Sequence, residues 1–132
     1  LCDLLGLEKP DTLEGRSLVP SLADPSNSIR DTLHLAYRGV QRAVKKGSMK
    51  LIEYVVDGKR ATQLFDLNSD PLEMNNLANH PEYAGVLEDM RIELKRWRSE
   101  FNDTRVVGDD FWDNFDNKEL LDEWRPGSHV HE

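Results

Sequence analysis

Leu64 to Ala78 reads LFDLNSDPLEMNNLA, and within it an apolar strand pattern gives way to a capped turn. Leu64, Phe65 and Leu67 are apolar β-formers. Asp66, Asn68, Ser69 and Asp70 then supply side-chain oxygens that compete for backbone N–H groups and so end strands. Asp70 is a good helix N-cap, Pro71 suits a first helical position because its missing N–H would have no partner there, and Glu73 stands where a capping-box acid reaches back. Asn75 and Asn76 predict a short helix that turns again before Pro81. Asp66, Asn68 and Asp70 also mimic the start of an EF-hand loop, but Pro71 occupies the Gly position and Leu77 the position of the bidentate Glu, which excludes calcium here.

Upstream, the pattern is that of sheet. Thr32 to Arg38 alternates, Leu33, Leu35 and Tyr37 against Thr32, His34 and Arg38, as a half-buried strand does. Gly39 marks a bulge or turn, Val40 to Lys45 continues the alternation, and Lys46-Gly47-Ser48 turns the chain. Met49 to Val56 is a third strand, Asp57-Gly58 a two-residue hairpin signal, and Lys59 to Leu67 a fourth strand. Sequential hairpins favour an antiparallel meander, which needs only one covering layer.

Downstream, Tyr83, Val86, Leu87, Met90, Leu94, Trp97 and Phe101 recur at steps of three and four and form one apolar helical stripe, with acids early and bases late as the macrodipole favours. This stripe is the expected cover of the sheet. After Asn102, the acids Asp109, Asp110, Asp113, Asp116 and Glu119 interleave with Phe111, Trp112, Phe115, Leu120, Leu121 and Trp124. Such a segment is an ordered arm or a disordered acidic tail, and its aromatics favour the arm. The fold class expected is α+β: a four-stranded antiparallel sheet packed against a long C-terminal helix, with an irregular N-terminal connection and an acidic aromatic C-terminal arm.

The spacing in Leu64 to Ala78 resembles the "L-Y-D-L-x-x-D-P-x-E-x-x-N-L-A" stretch near the C-terminal end of type I sulfatases, members of the alkaline-phosphatase-like superfamily. Leu64, Asp66, Leu67, Asp70, Pro71, Glu73, Asn76, Leu77 and Ala78 match it, and Phe65 replaces the usual Tyr. Leu4, Gly6, Leu7, Pro10, Gly15, Ser17, Leu18, Pro20 and Leu22 resemble the segment that joins the family's two domains, and Arg42, Lys50, Leu51 and Ile52 its "R … K-L-I" strand pair. The resemblance implies an end of an upstream domain and connection over residues 1–28, a C-terminal domain over 29–102 and an arm or tail over 103–132. Leu18, Val19 and Leu22 would be pegs on the larger domain. It also implies a sulfuric-ester hydrolase as parent, with a formylglycine nucleophile and calcium in the N-terminal catalytic domain, a sulfated small molecule or glycan as substrate, and a periplasmic, secreted or lysosomal location. Related phosphoesterases or phosphonate hydrolases carry similar domains, and a freestanding acidic interaction module is the other class left open.

Several features bound the function. A chain of 132 residues supports one core. Its start at Leu1 suggests a piece of a longer product. A formal charge of −8 opposes binding to nucleic acid or anionic membrane, and no apolar run approaches the ~20 residues of a spanning helix. Cys2 is alone and lacks the C/S-x-P-x-R context that formylglycine formation requires; Ser69-Asp70-Pro71-Leu72-Glu73 has Glu where that motif has Arg. No catalytic, metal-binding or cofactor residue is therefore assigned here, and the chain alone is expected to be inactive. His129 and His131 form a His-x-His pair without a third ligand, and His34 is more often a satisfied strand residue than a ligand. Arg38, Arg42, Lys45 and Lys46 gather positive charge in an acidic chain and are the candidate substrate-binding residues, against the alternative of a solvated basic edge. Uncovered apolar pegs would favour self-association.

Overall fold

A computed structural model describes residues 1–13, 15–103 and 111–117. The chain divides into two compact units, Leu1–Asp31 and Thr32–Glu132.

In the first unit, α1 (Cys2–Leu5) closes on Gly6 in the left-handed conformation (φ 65°), whose N–H donates to the carbonyl of Asp3. Glycine adopts that conformation at little cost, so it is the usual stop. After an irregular stretch α2 (Val19–Ala23) starts with Pro20 in its first turn, and an Asp24 carboxylate accepts from the N–H and hydroxyl of Ser26 to turn the chain. Leu18 and Leu22 are exposed.

The second unit is the expected meander. β1 (Thr32–Tyr37), β2 (Gln41–Lys46), β3 (Met49–Val56) and β4 (Lys59–Asp66) lie in the order β1-β2-β3-β4, every pair antiparallel. Gly47 (φ 58°), Asp57 (φ 51°) and Gly58 (φ 71°) supply the positive φ values of the two tight turns. Such turns match the strand twist and fix register. The 3₁₀ turn Pro81–Tyr83 leads into α3 (Ala84–Glu100), and Val44, Leu51, Val55 and Leu64 of the sheet meet Met90, Leu94 and Trp97 of this helix in one buried cluster. A short helix, α4 (Phe111–Phe115), adds three buried aromatics to the same cluster.

Two local expectations are corrected. The residues after Asp70 form a capped turn and not a short helix: Asp70 Oδ1 and Oδ2 accept from the N–H groups of Met74 (3.1 Å) and Asn75 (2.7 Å), and Glu73 takes a positive φ of 55° that a helix cannot continue through. Glu73 reaches Lys50 (Nζ–Oε1 2.7 Å) and does not fold back as a capping-box acid. Asn76 holds the turn to the sheet, since its Oδ1 accepts from Leu64 N–H and Ala78 N–H while its Nδ2 donates to the carbonyl of Thr62. The second correction concerns β1. Its period of two is as read, but His34 faces α3, whereas Leu33, Leu35 and Tyr37 lie on the opposite face and are 43%, 45% and 57% exposed.

Of the expected arm, Phe111 to Phe115 is ordered helix; Asp109, Asp110, Glu119, Leu120, Leu121, Trp124, His129 and His131 lie outside the described residues. Among the described residues no helix is long and apolar enough to cross a membrane.

Candidate functional site

The pleat of β2 separates the four candidate basic residues. Register places Arg42 in a cross-sheet row with Ala36, Glu53 and Thr62, and Lys46 in a row with Thr32, Met49 and Asp66, both on the face that α3 covers. Lys45 belongs to the opposite face, in a row with Leu33, Lys50 and Phe65. Arg38 sits in the turn after β1 with φ 47° and stays exposed, its guanidinium 5.6 Å from the Tyr37 ring centroid.

Arg42 is 2% exposed and sits at the centre of the polar contacts. Its Nε donates to Asp103 Oδ2 (2.6 Å) and its Nη2 to Oδ1 (3.0 Å), a two-pronged pair that suits a planar guanidinium. Nη1 donates to the carbonyls of Arg38 (2.6 Å) and Gln41 (2.9 Å), so the same side chain also fixes the β1–β2 turn. The Phe111 ring lies 4.8 Å from the guanidinium, and Trp112 Nε1 donates to Asp103 Oδ2 (3.1 Å). Burial works to raise the Asp103 carboxyl, but the hydrogen bonds and charge of Arg42 outweigh it and hold the group below the ordinary aspartate range. His34 stacks on Trp97 (6.1 Å, 4°) and Phe101 (6.2 Å, 11°) beside this pair, and desolvation lowers its pKa. Its Nε2 is buried without a hydrogen-bond partner among the described residues.

Beside Arg42 in the same row, Glu53 is fully buried and accepts from Arg91 Nε (2.8 Å) and the Thr62 hydroxyl (2.7 Å), with Arg91 Nη2 also donating to Thr62 Oγ1 (3.0 Å). Desolvation raises its pKa despite those donors. Sequence reasoning did not single out Glu53. A glutamate between Ile52 and Tyr54 in an apolar strand was the available signal, because an acid on the covered face must find a partner. Lys46 Nζ approaches Glu93 Oε2 (3.3 Å), and Arg96 together with Trp97 Nε1 (3.1 Å) completes the shell of that carboxylate; the Arg96 contact leads in keeping Glu93 below its usual pKa. Lys45 Nζ donates to the carbonyl of Gly47 (2.8 Å).

Charged groups on the helix side are thus matched to carboxylates and carbonyls of the same chain, an arrangement suited to rigidity more than to exchange of a ligand. Asp66 accepts from Asn68 N–H and the Ser69 hydroxyl, and both oxygens of Asp70 are taken by backbone N–H groups, so these acids do not fit calcium. Among the described residues no three His, Cys, Asp or Glu side chains lie close enough to hold a metal ion.

Comparison with known proteins shows the class. Residues 1–100 match the family model for N-sulphoglucosamine sulphohydrolase, C-terminal. The chain is 36% identical over 89 residues to an ulvan-active sulfatase of Formosa agariphila, covering 67% of this chain and 14% of that protein. In structure it resembles a protein solved in complex with its substrate D-glucosamine-2-N,6-O-disulfate (TM-score 0.61, 24% identity, 78% of this chain and 23% of the other). It also resembles the phosphonate monoester hydrolase of Agrobacterium radiobacter (TM-score 0.52, 23% identity, 75% and 23%). The chain belongs to the sulfatase family and carries its C-terminal sheet-and-helix domain. It spans about a seventh of the length of the Formosa relative.

Proposed function

We propose that this chain is the C-terminal domain of a sulfuric-ester hydrolase, inactive alone, whose work is to complete and buttress a separate catalytic domain. The observation that carries the reading is the family match over residues 1–100, in a chain with no C/S-x-P-x-R motif. Sulfate-ester cleavage needs an activated nucleophile and cations that stabilise charge on the leaving oxygen and sulfuryl group. In the parent these are the formylglycine and calcium of the N-terminal domain, and no step is routed through residues of this chain. The substrate class is a sulfated saccharide, in keeping with the disulfated glucosamine bound by the structural relative. A periplasmic, secreted or lysosomal setting follows from the same reading.

Within this domain the substrate-rim role falls to the exposed cations. Arg38 heads them, held at the tip of the β1–β2 turn by the bonds from Arg42 to the carbonyls of Arg38 and Gln41. Arg42 itself serves as a positioning residue, and Lys45 and Lys46 carry charge at the far end of β2. The phosphonate hydrolase resemblance favours a second reading, a parent acting on phosphonate or phosphate esters through the same architecture.

The decisive experiment offers an aryl sulfate and a phosphonate monoester, with calcium, to the purified chain and to a polypeptide that joins it to a catalytic domain. Turnover by the joined polypeptide alone, faster with the sulfate, supports the proposal; turnover by the 132-residue chain overturns it. Arg38→Ala in the joined protein should raise KM for charged saccharides and leave a neutral aryl sulfate unaffected.

A further inference from the structure

Two aromatics of α4 bear on a single guanidinium. The planar Arg42 side chain has two working edges. On one, Nε and Nη2 grip the carboxylate of Asp103 (2.6 and 3.0 Å). On the other, Nη1 donates to the carbonyls of Arg38 (2.6 Å) and Gln41 (2.9 Å), which bracket the turn between β1 and β2. The plate is rigid, so a shift of the carboxylate edge is passed to the carbonyl edge. Phe111 lies 4.8 Å from the guanidinium, and Trp112 Nε1 donates to Asp103 Oδ2 (3.1 Å). These two rings meet edge to face (5.1 Å, 90°) and seat together.

The turn at the carbonyl edge is one that needs holding. Arg38 has φ 47°, in the left-handed region that a residue with a Cβ rarely adopts, and Gly39 beside it adds no restraint of its own. The bond that closes the turn, Val40 N–H to the carbonyl of Tyr37, is long at 3.4 Å. Two carbonyls converging on Nη1 supply restraint that this closure does not. The other end of the series is well anchored: Asp103 N–H donates to the carbonyl of Arg98 (2.9 Å) at the close of α3. Arg98 in turn donates to Asp116 (2.9 Å) and lies 4.7 Å from the Trp112 ring, so α4 is tied to the last turn of α3.

Resting on the rim role given to Arg38 above, we propose that Trp112 and Phe111 are positioning residues for that cation: through Asp103 and Arg42 they hold the β1–β2 turn in the conformation that presents Arg38 to an anionic group of the saccharide. The C-terminal arm thereby takes part in substrate selection. Its influence falls on affinity for charged substrates and not on the chemical step, because a rim cation binds ground state and transition state alike.

NMR of the 132-residue chain tests the coupling with Trp112→Phe, which keeps a ring and removes the N–H. Hydrogen exchange of the Val40 amide and of Arg42 Nε–H should quicken about five- to tenfold, the worth of one hydrogen bond, and order parameters at Arg38 and Gly39 should fall. Amides of the Asp57-Gly58 turn should not change. Leu94→Ala, which removes core volume and none of these bonds, should lower urea stability without singling out the β1–β2 turn. In an Arg42→Lys background, whose ammonium lacks the fork, Trp112→Phe should have no further effect there. An unchanged turn in Trp112→Phe overturns the inference, as does equal loosening of both turns or an effect that persists undiminished with Arg42→Lys. In the polypeptide joined to a catalytic domain, Trp112→Phe should raise KM for charged saccharide sulfates several-fold, with kcat and neutral aryl-sulfate turnover unaltered. A loosened turn with unaltered KM refutes the rim role of Arg38 proposed above and leaves the coupling standing.

Discussion

Replacing Asp103 with alanine tests the central electrostatic claim. The substitution removes the acceptor of two hydrogen bonds from Arg42 and one from Trp112 and leaves a guanidinium 2% exposed with its carboxylate gone. Breaking a buried pair from one side costs about 3–5 kcal/mol because the remaining charge is uncompensated. In a domain near 100 residues each kcal/mol moves Tm by about 4–8 °C, so a fall of at least about 12 °C is expected. Asp103→Asn should cost less, since the amide still accepts one bond, while Arg42→Met with Asp103→Leu should recover much of the loss because neither charge is then buried. Urea unfolding followed by tryptophan fluorescence, with an unchanged slope as the sign of an unchanged unfolding reaction, gives the values. A loss under about 1 kcal/mol for Asp103→Ala would refute the view that this pair is a structural fastening.

Stability should fall on acidification through two groups of like sign. His34 and Asp103 both have folded pKa values depressed below their unfolded ones, so each contributes stability that is present above the unfolded pKa and lost as pH falls through the folded one. The His34 part begins below about pH 6.5 and that of Asp103 below about pH 4, and urea midpoints of wild type and His34→Phe at pH 7.5 and 5.5 separate them. Glu53, raised by burial, acts oppositely: its contribution is largest at low pH and fades as pH rises through its folded pKa, so Glu53→Gln should be better tolerated at pH 7.5 than at pH 4. Phe111→Ala should cost about 3–5 kcal/mol by chemical denaturation, as expected of a fully buried aromatic in the shared core. Asn76→Ala should cost about 1–3 kcal/mol by the same assay, because it orphans Leu64 N–H on the edge strand β4; Asn76→Asp should restore part by keeping the acceptor.

The meander and its cover were legible because their signals are local. Asp57-Gly58 states a turn in two residues, and the stripe through Met90, Leu94 and Trp97 states a helix face in about two turns. The facing of β1 was not legible: a period of two defines two faces without saying which one meets α3, and here His34 takes the inner place because Trp97 and Phe101 offer it flat aromatic surface. Arg42 looked like part of a basic edge for a related reason. Its carboxylate is 61 residues away, and no pattern within β2 reveals that partner. The helix expected after Asp70 failed on one dihedral, the positive φ of Glu73, which the ion pair to Lys50 accompanies and which the cap residues do not forbid.

The separation of Arg42 from Asp103 also sets a sequence of events for a chain leaving the ribosome. The strands pair with their immediate neighbours in sequence, so the meander needs only short-range loop closure and can form early. Until Asp103 emerges, 61 positions later, β2 carries a cation on its inner face that has no carboxylate to meet, and the young sheet is held open to water at that point. Arrival of Asp103, followed by the aromatics of α4, turns a tolerant early structure into a sealed one. Completion of the domain is thereby tied to synthesis of Asp103 and α4, and a product broken off before Asp103 would be recognisable to proteases by a wet seam at Arg42, a distinction that limited proteolysis of chains ending at residue 100 and at residue 117 would register.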